Sequence, residues 1–486
     1  MAHDTAHGDR GGTLAVEKRS IDYIPPGERH GRVWHQGPFW FTGNFVLVTM
    51  VTGFVGPSLG LGLGWSVLAI VFGACFGTFF MAFHANQGPR MGLPQMIQSR
   101  AQFGTRGAIF PFAAVVFVYV GFIVFDTVLA TQALRTVLPG ATWLWYPVLV
   151  AVAIVLAVVG HDLLHFVQRW LTYLLIVVFG VLTVWAIVHL HGQPVIAGHG
   201  MSWTAFLVQF SAAAGYQISY AVYVSDYSRY LPENTRSGGV IWWTYLGAAG
   251  SAVWLMSLGA LLAGRLPHPD AIGSVRQVGN DLFSGFGTFV VLISVPALVS
   301  IMAVNAYGAM LTSVSGIDGF RPVRATVKAR VIGVVAVSVI AYVATLAIPD
   351  DYLSSFNDFV LLMLYFLVPW TAVNLVDFYF VRHGRYAITE IFNPDGLYGR
   401  WAWRGLVAYW AGLAAMVPFF ATTFYTGPIA AAIGGADVSF LVGLVVSGGL
   451  YYLFSSRVDR AGELAVVRSS RERLGAALPA DGPAGG

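Results

Sequence analysis

The stretch from Pro38 to Gly62 reads PFWFTGNFVLVTMVTGFVGPSLGLG, and it is an apolar run long enough to cross a bilayer. Such a crossing takes about 20 largely apolar residues in an α-helix. The run is interrupted by Thr52-Gly53 and by Gly56-Pro57. Broken helices are tolerated in membranes where the freed backbone groups line a binding site. The stretch therefore predicts a first span that is broken near a site, although a kinked but continuous helix packed through its small residues is the alternative.

The rest of the chain continues this apolar pattern. Of its 486 residues, 57% are hydrophobic and 10% are charged, whereas soluble proteins carry about 25% charged residues. The sequence therefore predicts an all-α integral membrane protein with about 12 transmembrane helices. The further runs lie at 64–83, 110–134, 143–160, 167–190, 203–224, 240–263, 288–314, 331–348, 356–381, 405–426 and 438–454.

Basic residues are distributed unevenly between the two sides of this bundle. With the amino terminus inside, 24 of the 27 Lys and Arg residues share the side of the termini, and only Arg135, Arg265 and Arg276 lie outside. Cytoplasmic loops carry the excess of Lys and Arg. We therefore expect a multi-pass protein of a cell membrane, with a cytoplasmic tail at 1–37, a transmembrane domain at 38–455 and a cytoplasmic tail at 456–486. Since topology explains the net charge of +4, no nucleic-acid partner is expected.

The two predicted tails carry no signal of ordered structure. The first 37 residues contain no apolar core of a cleavable signal. The stretch from Gly462 onward is rich in Arg, Ala, Gly and Pro, and this composition predicts a loosely ordered tail.

Several kinds of chemistry are excluded by what the chain lacks. Its one cysteine, Cys75, permits no internal disulfide, and neither Lys18 nor Lys328 follows the Gly-rich pattern that cradles the phosphates of ATP. His161 and His165 flank Asp162 at a spacing that suits a metal. Without a further ligand we interpret this cluster as an interfacial anchor, so no cofactor and no enzyme activity are expected.

The most expensive residue in any predicted span is Asp126, in the third apolar run. An Asp at the centre of a membrane helix costs about 2.5 to 3.5 kcal/mol on insertion scales. Intramembrane acids usually line pathways, so Asp126 is a candidate proton carrier or an acceptor for N–H groups of a substrate. A structural hydrogen bond to a neighbouring helix is the alternative.

A second interrupted span is predicted in the sixth run, which contains SAAAGYQISY at 211–220. Interrupted helices at the first and sixth positions suggest two five-helix halves of inverted topology with a site between them. We place these halves at about 38–200 and 201–382, followed by two extra helices.

The eighth run offers two further polar side chains. Asn305 offers both a hydrogen-bond donor and an acceptor to the edge of a heterocycle. The alternative, which the sequence favours equally, is a structural hydrogen bond from Asn305 to a neighbouring helix. Ser300 is a weak sodium candidate, because a hard cation requires several oxygen ligands.

Four motifs in the same order resemble the nucleobase-cation-symport family, in its purine-cytosine permease branch. They are VEKRSIDYIPPGER at 16–29 with FWFTGNF at 39–45, GLPQMIQSRAQFG at 92–104, SDYSRYLP at 225–232 and NPDGLY at 393–398. The resemblance covers residues 16 to 455. It implies the LeuT-type fold, which consists of a 5+5 inverted repeat plus two extra helices, and import of nucleobases or related small nitrogen compounds with a proton or a sodium ion.

The resemblance also implies the site residues. The substrate positions of the family fall on Phe122 and Asp126 in span 3, on Tyr216 and Gln217 in span 6 and on Asn305 in span 8. The region where span 1 unwinds corresponds to Thr49, Thr52 and Gly53. Aromatic faces and amide edges suit a flat nitrogen heterocycle.

This chain departs from the family pattern at two positions. Many members have Trp and an amide where Phe122 and Asp126 stand, and sodium-coupled members have adjacent hydroxyls where Val299-Ser300 stand. We therefore predict a proton-coupled secondary transporter working by alternating access, with Asp126 as the carrier.

Three alternatives remain. They are sodium coupling, a cationic amidine- or guanidine-like solute paired with Asp126, and, from other functional classes, a substrate sensor or a membrane enzyme using His161, Asp162 and His165.

Overall fold

The computed structural model describes residues 22–159, 161–196, 198, 200–267, 270–321, 323, 326–456 and 458–475, with the backbone alone at 159 and 161–169. These residues are helical and contain no β-strand, only one isolated bridge between Ala421 and Thr426. Each predicted span has a helical segment among the described residues, although the helix in the run 405–426 ends early. In hydrocarbon only a helix satisfies all of its own backbone groups, so this agreement follows from the apolar runs themselves.

The spans follow one another in chain order. Span 1 consists of Gln36–Asn44, Leu47–Thr52 and Val55–Ser58, and spans 2 to 5 are Leu63–Ala85, Ile109–Arg135, Thr142–Val159 and His161–His189. Span 6 is Trp203–Ile218, which continues through the 3-10 turn Ser219–Val222 into Val224–Ser228. Spans 7 to 10 are Ser237–Arg265, Phe286–Asp318, Val327–Thr345 and Leu353–Val376, and spans 11 and 12 are Trp403–Met416 and Ser439–Ser455.

Short helices connect several spans. Between spans 2 and 3 lie Gln87–Met91, Gln95–Gln98 and Arg100–Phe103, and between spans 7 and 8 lies Ala271–Leu282. Among the described residues, seven helices are individually long and apolar enough to cross a membrane. Span 1 qualifies as a pair of helices bent by 72°. This bend lies between Asn44 and Leu47, ahead of the predicted positions, so it is an additional break that the sequence did not predict. At the predicted position the α-helix is interrupted over residues 53–54, between Thr52 and Val55.

Span 11 is shorter than the run 405–426 predicts. Its helix ends at Met416 and continues only as the 3-10 turn Val417–Phe419, which contains Pro418. Beyond it, the backbone N–H of Ala421 donates to Asp437 Oδ2 at 3.3 Å and to Tyr365 Oη at 3.2 Å. Proline cannot donate a helical hydrogen bond, and these tertiary acceptors draw the following backbone out of the helix.

The expectation of a loosely ordered tail from Gly462 onward is wrong for the helix Arg460–Arg473. Asp459 caps this helix by accepting from the backbone N–H of Gly462 at 3.1 Å. Glu463, Val467 and Ser470 lie four and three residues apart and are buried, so one face of the helix docks on the bundle. Composition alone hides this face, because two of its three buried residues, Glu463 and Ser470, are themselves polar. Residues 476–486 lie outside the described residues.

This C-terminal helix contacts the side of the bundle that is predicted to be cytoplasmic. Arg382 Nε donates to Glu463 Oε1 at 2.6 Å, and the backbone N–H of Thr389 donates to Ser470 Oγ at 3.0 Å. Arg382 also pairs with the buried Asp377. The helix is therefore tied to the chain that joins spans 10 and 11.

Small residues allow the central helices to approach closely. Span 6 packs on span 2, span 8 on span 3, and span 7 on both span 2 and the first helix of span 1. A methyl group added at Gly53 would collide with the carbonyl oxygen of Met256, and one at Gly77 would collide with that of Ala214. These contacts fix spans 1 and 2 against spans 6 and 7, around the site.

Candidate functional site

The first break in span 1 lies between Asn44 and Leu47. The carbonyl freed at Asn44 is satisfied by the Thr49 hydroxyl, which donates to it at 2.7 Å. The Asn44 side chain donates to Gln217 Oε1 at 3.1 Å and to the Ala248 carbonyl at 2.9 Å. The Thr49 hydroxyl therefore replaces a backbone donor at this break, and the Asn44 side chain ties the break to spans 6 and 7.

The second break lies at Gly53 and is filled from span 6. In a continuous α-helix the N–H of Gly56 donates to the carbonyl of Thr52. Here Gly56 N–H donates to Gln209 Oε1 at 2.7 Å, and Gln209 Nε2 donates to the Thr52 carbonyl at 3.0 Å. The side-chain amide of Gln209 is thus inserted into one turn of span 1.

Three predicted site residues meet between the two breaks. The hydroxyls of Thr49 and Tyr216 lie 2.8 Å apart, and because Thr49 donates to Asn44, we infer that Tyr216 donates to Thr49. The ring of Phe122 meets that of Tyr216 edge to face, with centroids 5.5 Å apart. Span 10 closes this group from another side, since the ring of Phe359 lies 5.5 Å from that of Phe122.

Asp126 lies one helical turn beyond Phe122, on the same face of span 3. Its side chain has no exposed surface, and neither carboxylate oxygen has a hydrogen-bond partner in the part of the chain that the structure describes. It is electrostatically coupled to the phenol groups of Tyr216 and Tyr220. A buried, ionised carboxylate is costly without a partner, so this arrangement suits a group that carries a proton or receives a ligand.

The other predicted residues are placed as follows. The Thr52 hydroxyl is buried and unpartnered within the described chain, whereas the Gln217 amide also donates to Thr78 Oγ1 at 2.8 Å and to the Ala248 carbonyl at 3.0 Å. Gln217 of span 6 is thus hydrogen-bonded to spans 1, 2 and 7. Span 8 supplies Asn305, which is 6% exposed, and Ser300, whose hydroxyl donates to the Ala297 carbonyl at 2.8 Å.

Span 8 lies beside Asp126, because the Thr127 hydroxyl contacts Met302 Sδ at 3.8 Å. Asn305 is one turn beyond Met302 on the same helix. Thr49, Phe122, Asp126 and Tyr216 are therefore brought together, and Asn305 lies on the helix next to them.

The sequence analysis missed Asn44, Gln209, Tyr220 and Phe359. Asn44 and Gln209 are polar residues in apolar runs, the same signal that identified Asp126. Phe359 gives no signal, because aromatic residues are common throughout the spans.

The side chains of His161, Asp162 and His165 lie outside the described residues. Among the side chains that the structure does describe, no three His, Cys, Asp or Glu are grouped so that they could hold a metal ion.

A bundle with two broken spans around a buried carboxylate that has no hydrogen-bond partner among the described residues defines a multi-pass membrane transporter. A family model described as permease for cytosine/purines, uracil, thiamine, allantoin matches residues 23–443. The chain belongs to this family. Its relatives are permeases, so the protein is a transporter and not an enzyme.

Two curated relatives illustrate the range of similarity. The putative purine-cytosine permease YxlA of Bacillus subtilis (strain 168) is 40% identical over 451 residues, which cover 90% of this chain and 96% of that protein. The purine-cytosine permease fcyB of Emericella nidulans is 24% identical over 481 residues, which cover 90% of this chain and 88% of that protein.

Solved structures show the same fold. The inward-facing conformation of Mhp1 superposes with a TM-score of 0.70 at 15% identity, covering 95% of this chain and 96% of that one. A closed conformation of Mhp1, a nucleobase-cation-symport-1 family transporter with bromovinylhydantoin bound, superposes with a TM-score of 0.70 at 17% identity, covering 95% and 97%. The predicted LeuT-type fold class and the predicted family are confirmed.

Proposed function

We propose that this permease imports a nucleobase of the cytosine or purine type, or a related small nitrogen compound, together with a proton. The observation that carries the proposal is the fully buried carboxylate of Asp126, whose two oxygens have no partner among the described residues. The names of the relatives support a nucleobase, and so does the hydantoin ring bound by Mhp1.

The site residues have distinct proposed roles. Phe122 and Tyr216 present their rings to the flat face of the heterocycle, and Asp126 accepts from its N–H groups. The Thr52 hydroxyl and Asn305 supply further edge contacts, while Thr49 holds Tyr216 through the 2.8 Å hydroxyl contact. Gly53 lets span 1 approach span 7. Gln217 hydrogen-bonds to spans 1, 2 and 7 and so fixes the position of span 6, which carries Tyr216.

Coupling to protons is proposed on the same carboxylate. When Asp126 is protonated, its hydroxyl can donate to a substrate oxygen or ring nitrogen while its carbonyl oxygen accepts from a substrate N–H. The ionised carboxylate can only accept, and it has no partner in the described site before the substrate binds. Loading of a proton and of a substrate are therefore mutually favourable. Sodium is the second candidate ion, and Ser300 alone is a weak ligand for it because a hard cation needs several oxygens.

The arrangement in the membrane is also part of the proposal. The uneven distribution of Lys and Arg supports cytoplasmic termini in a cell membrane. Inverted halves at about 38–200 and 201–382, with spans 11 and 12 as the two extra helices, place the site between spans 1, 3, 6 and 8. Alternating access then follows from movement of one set of spans against the other around this site.

Uptake by the purified protein in proteoliposomes tests the proposal. We expect accumulation of labelled cytosine, adenine, guanine or hypoxanthine under an inward proton gradient, unchanged when sodium is replaced by choline. Asp126→Asn should abolish accumulation. Asp358→Asn is the control and should keep it, because Asp358 is also a buried carboxylate but its oxygens accept from the backbone N–H of Thr423 at 3.0 Å and from the Thr423 hydroxyl.

Each other result selects an alternative. Dependence on sodium rather than on the proton gradient would overturn proton coupling. Accumulation of guanidine or benzamidine but of no neutral nucleobase would make Asp126 a counter-charge for a cationic solute. Binding of a nucleobase without counterflow would indicate a sensor.

A further inference from the structure

Gln209 stands outside the proposed substrate contacts, yet it makes an unusual pair of bonds. Its side chain has no exposed surface and lies on span 6, two turns before Tyr216. Its amide accepts from Gly56 N–H and donates to the carbonyl of Thr52. These two backbone groups would bond each other in an unbroken helix.

The bonds of Gln209 hold span 1 open at one defined place. A break in a buried helix leaves an N–H and a carbonyl that must find other partners. A primary amide is the neutral side chain that offers one acceptor and one donor side by side, so a single residue satisfies both groups. The Gln209 side chain alone therefore gives each of these two backbone groups a partner.

The position of this break matters for the site. Thr49 and Thr52 lie on the short helix Leu47–Thr52, which is enclosed by the two breaks of span 1. Asn44 and Gln217 tie the first break to span 6, and Gln209 ties the second. Both ends of this short helix are thus fixed to the helix that carries Tyr216.

We propose that Gln209 is a positioning residue for the substrate site, and that it acts by replacing one backbone hydrogen bond of span 1 and clamping spans 1 and 6 into one unit. The inference rests on the proposed function for its transport readout. Without the clamp, the bond from Gly56 to Thr52 can re-form, and the Thr49 and Thr52 side chains then turn relative to Tyr216. Substrate affinity should suffer more than the maximal rate.

Gln209→Glu tests the proposal through the pH dependence of KM, which a purely structural role of Gln209 would not change. The substituted carboxyl keeps the acceptor for Gly56 but donates to Thr52 only when it is protonated. We therefore expect the ratio of KM values, variant over wild type, to be about tenfold at pH 8 and to fall towards one at pH 5.5. Gln209→Leu removes both bonds, so its ratio should be raised equally at both pH values.

Gln98→Glu is the matched control. Gln98 is also a buried glutamine that donates to a backbone carbonyl, that of Leu93 at 2.8 Å, but it lies in the connection between spans 2 and 3. This variant should lose thermal stability at pH 8 and keep the wild-type KM. A KM ratio for Gln209→Glu that does not change with pH, or a Gln209→Leu variant with wild-type KM, would overturn the proposal.

A readout without substrate separates this inference from the proposed function. If the wild-type protein transports none of the nucleobases tested, the proposed function fails. The apparent Tm of Gln209→Glu relative to wild type still reports the clamp. The two bonds are supported if the difference in Tm shrinks as the pH falls from 8 to 5.5 and Gln209→Glu is then more stable than Gln209→Leu, which can make neither bond at any pH. A constant difference, or a Gln209→Leu variant as stable as wild type, overturns them.

Discussion

Arg471 of the C-terminal helix lies 2.8 Å from Glu233, in the chain that joins spans 6 and 7. The same helix reaches Glu390 in the chain that joins spans 10 and 11, through Arg473 Nη2 at 2.9 Å. One helix near the end of the chain therefore connects two loops that are far apart in sequence. This connection predicts that stability and docking of the helix depend on a few charges.

Arg471→Ala should loosen the C-terminal helix. The Arg471 and Glu233 side chains are 15% and 25% exposed, so the pair is partly screened and its loss should cost about 1 kcal/mol or less. Hydrogen exchange in residues 460–473 should become faster, and raising the salt concentration should reduce the difference from wild type. Arg468→Ala on an exposed position of the same helix is the control, and equal exchange in both variants would contradict the prediction.

Docking of this helix should also weaken in acid. The hydrogen bond from Arg473 lowers the pKa of Glu390 below its ordinary value of 4.5, and a hydrogen bond from Asn393 acts in the same direction. Because the pKa is lower in the folded state, the ionised group stabilises the fold above pH 4.5 and loses this effect as the pH falls through the lowered pKa.

The corresponding measurement is the Tm of wild type relative to Glu390→Gln. We expect wild type to be more stable at pH 7 and the difference to shrink as the pH falls below 4.5. A difference that grows on acidification would contradict the sign of this pKa shift.

Asp126→Leu should stabilise the protein while it abolishes transport. The carboxylate of Asp126 is buried with no partner in the described structure, so an apolar side chain removes a cost of burial. A higher Tm together with loss of uptake is expected.

Asp437→Leu is the control, and it should lower the Tm where Asp126→Leu raises it. Asp437 is equally buried but accepts from the Tyr365 hydroxyl and from the backbone N–H of Ser439 at 2.8 Å. Its replacement leaves these donors unpaired, so a lower Tm is expected. A destabilised Asp126→Leu would show that this carboxylate has a partner after all.

Gly53→Ala should be far more damaging than an equivalent change nearby. A methyl group at Gly53 meets the carbonyl oxygen of Met256, which is backbone and cannot turn away, so we expect a loss of about 1–3 kcal/mol. At Gly250, on the same partner helix, an added methyl group meets no atom within 4 Å. Gly250→Ala should therefore be neutral or slightly stabilising, since alanine favours the helix. Thermal unfolding of the two variants in detergent gives the comparison.

The sequence by itself determined the order and approximate positions of the spans, because each apolar run of about 20 residues must satisfy its own backbone groups in hydrocarbon. It also singled out Asp126, since a carboxylate inside such a run is too costly to be incidental. The glycines and threonine of span 1 predicted the break, although not what holds it open.

Only the tertiary structure decided which groups satisfy that break. Gln209 lies 153 positions from Gly56, and Gln217 lies 173 positions from Asn44. No local sequence pattern predicts that the members of either pair are hydrogen-bonded to each other. The same holds for the C-terminal helix, whose polar composition suggests a loose tail until Arg382, Thr389 and Glu390 are brought against its buried face. Apolar length is a local property that a sequence displays directly, whereas the partner of a polar group depends on how distant helices pack.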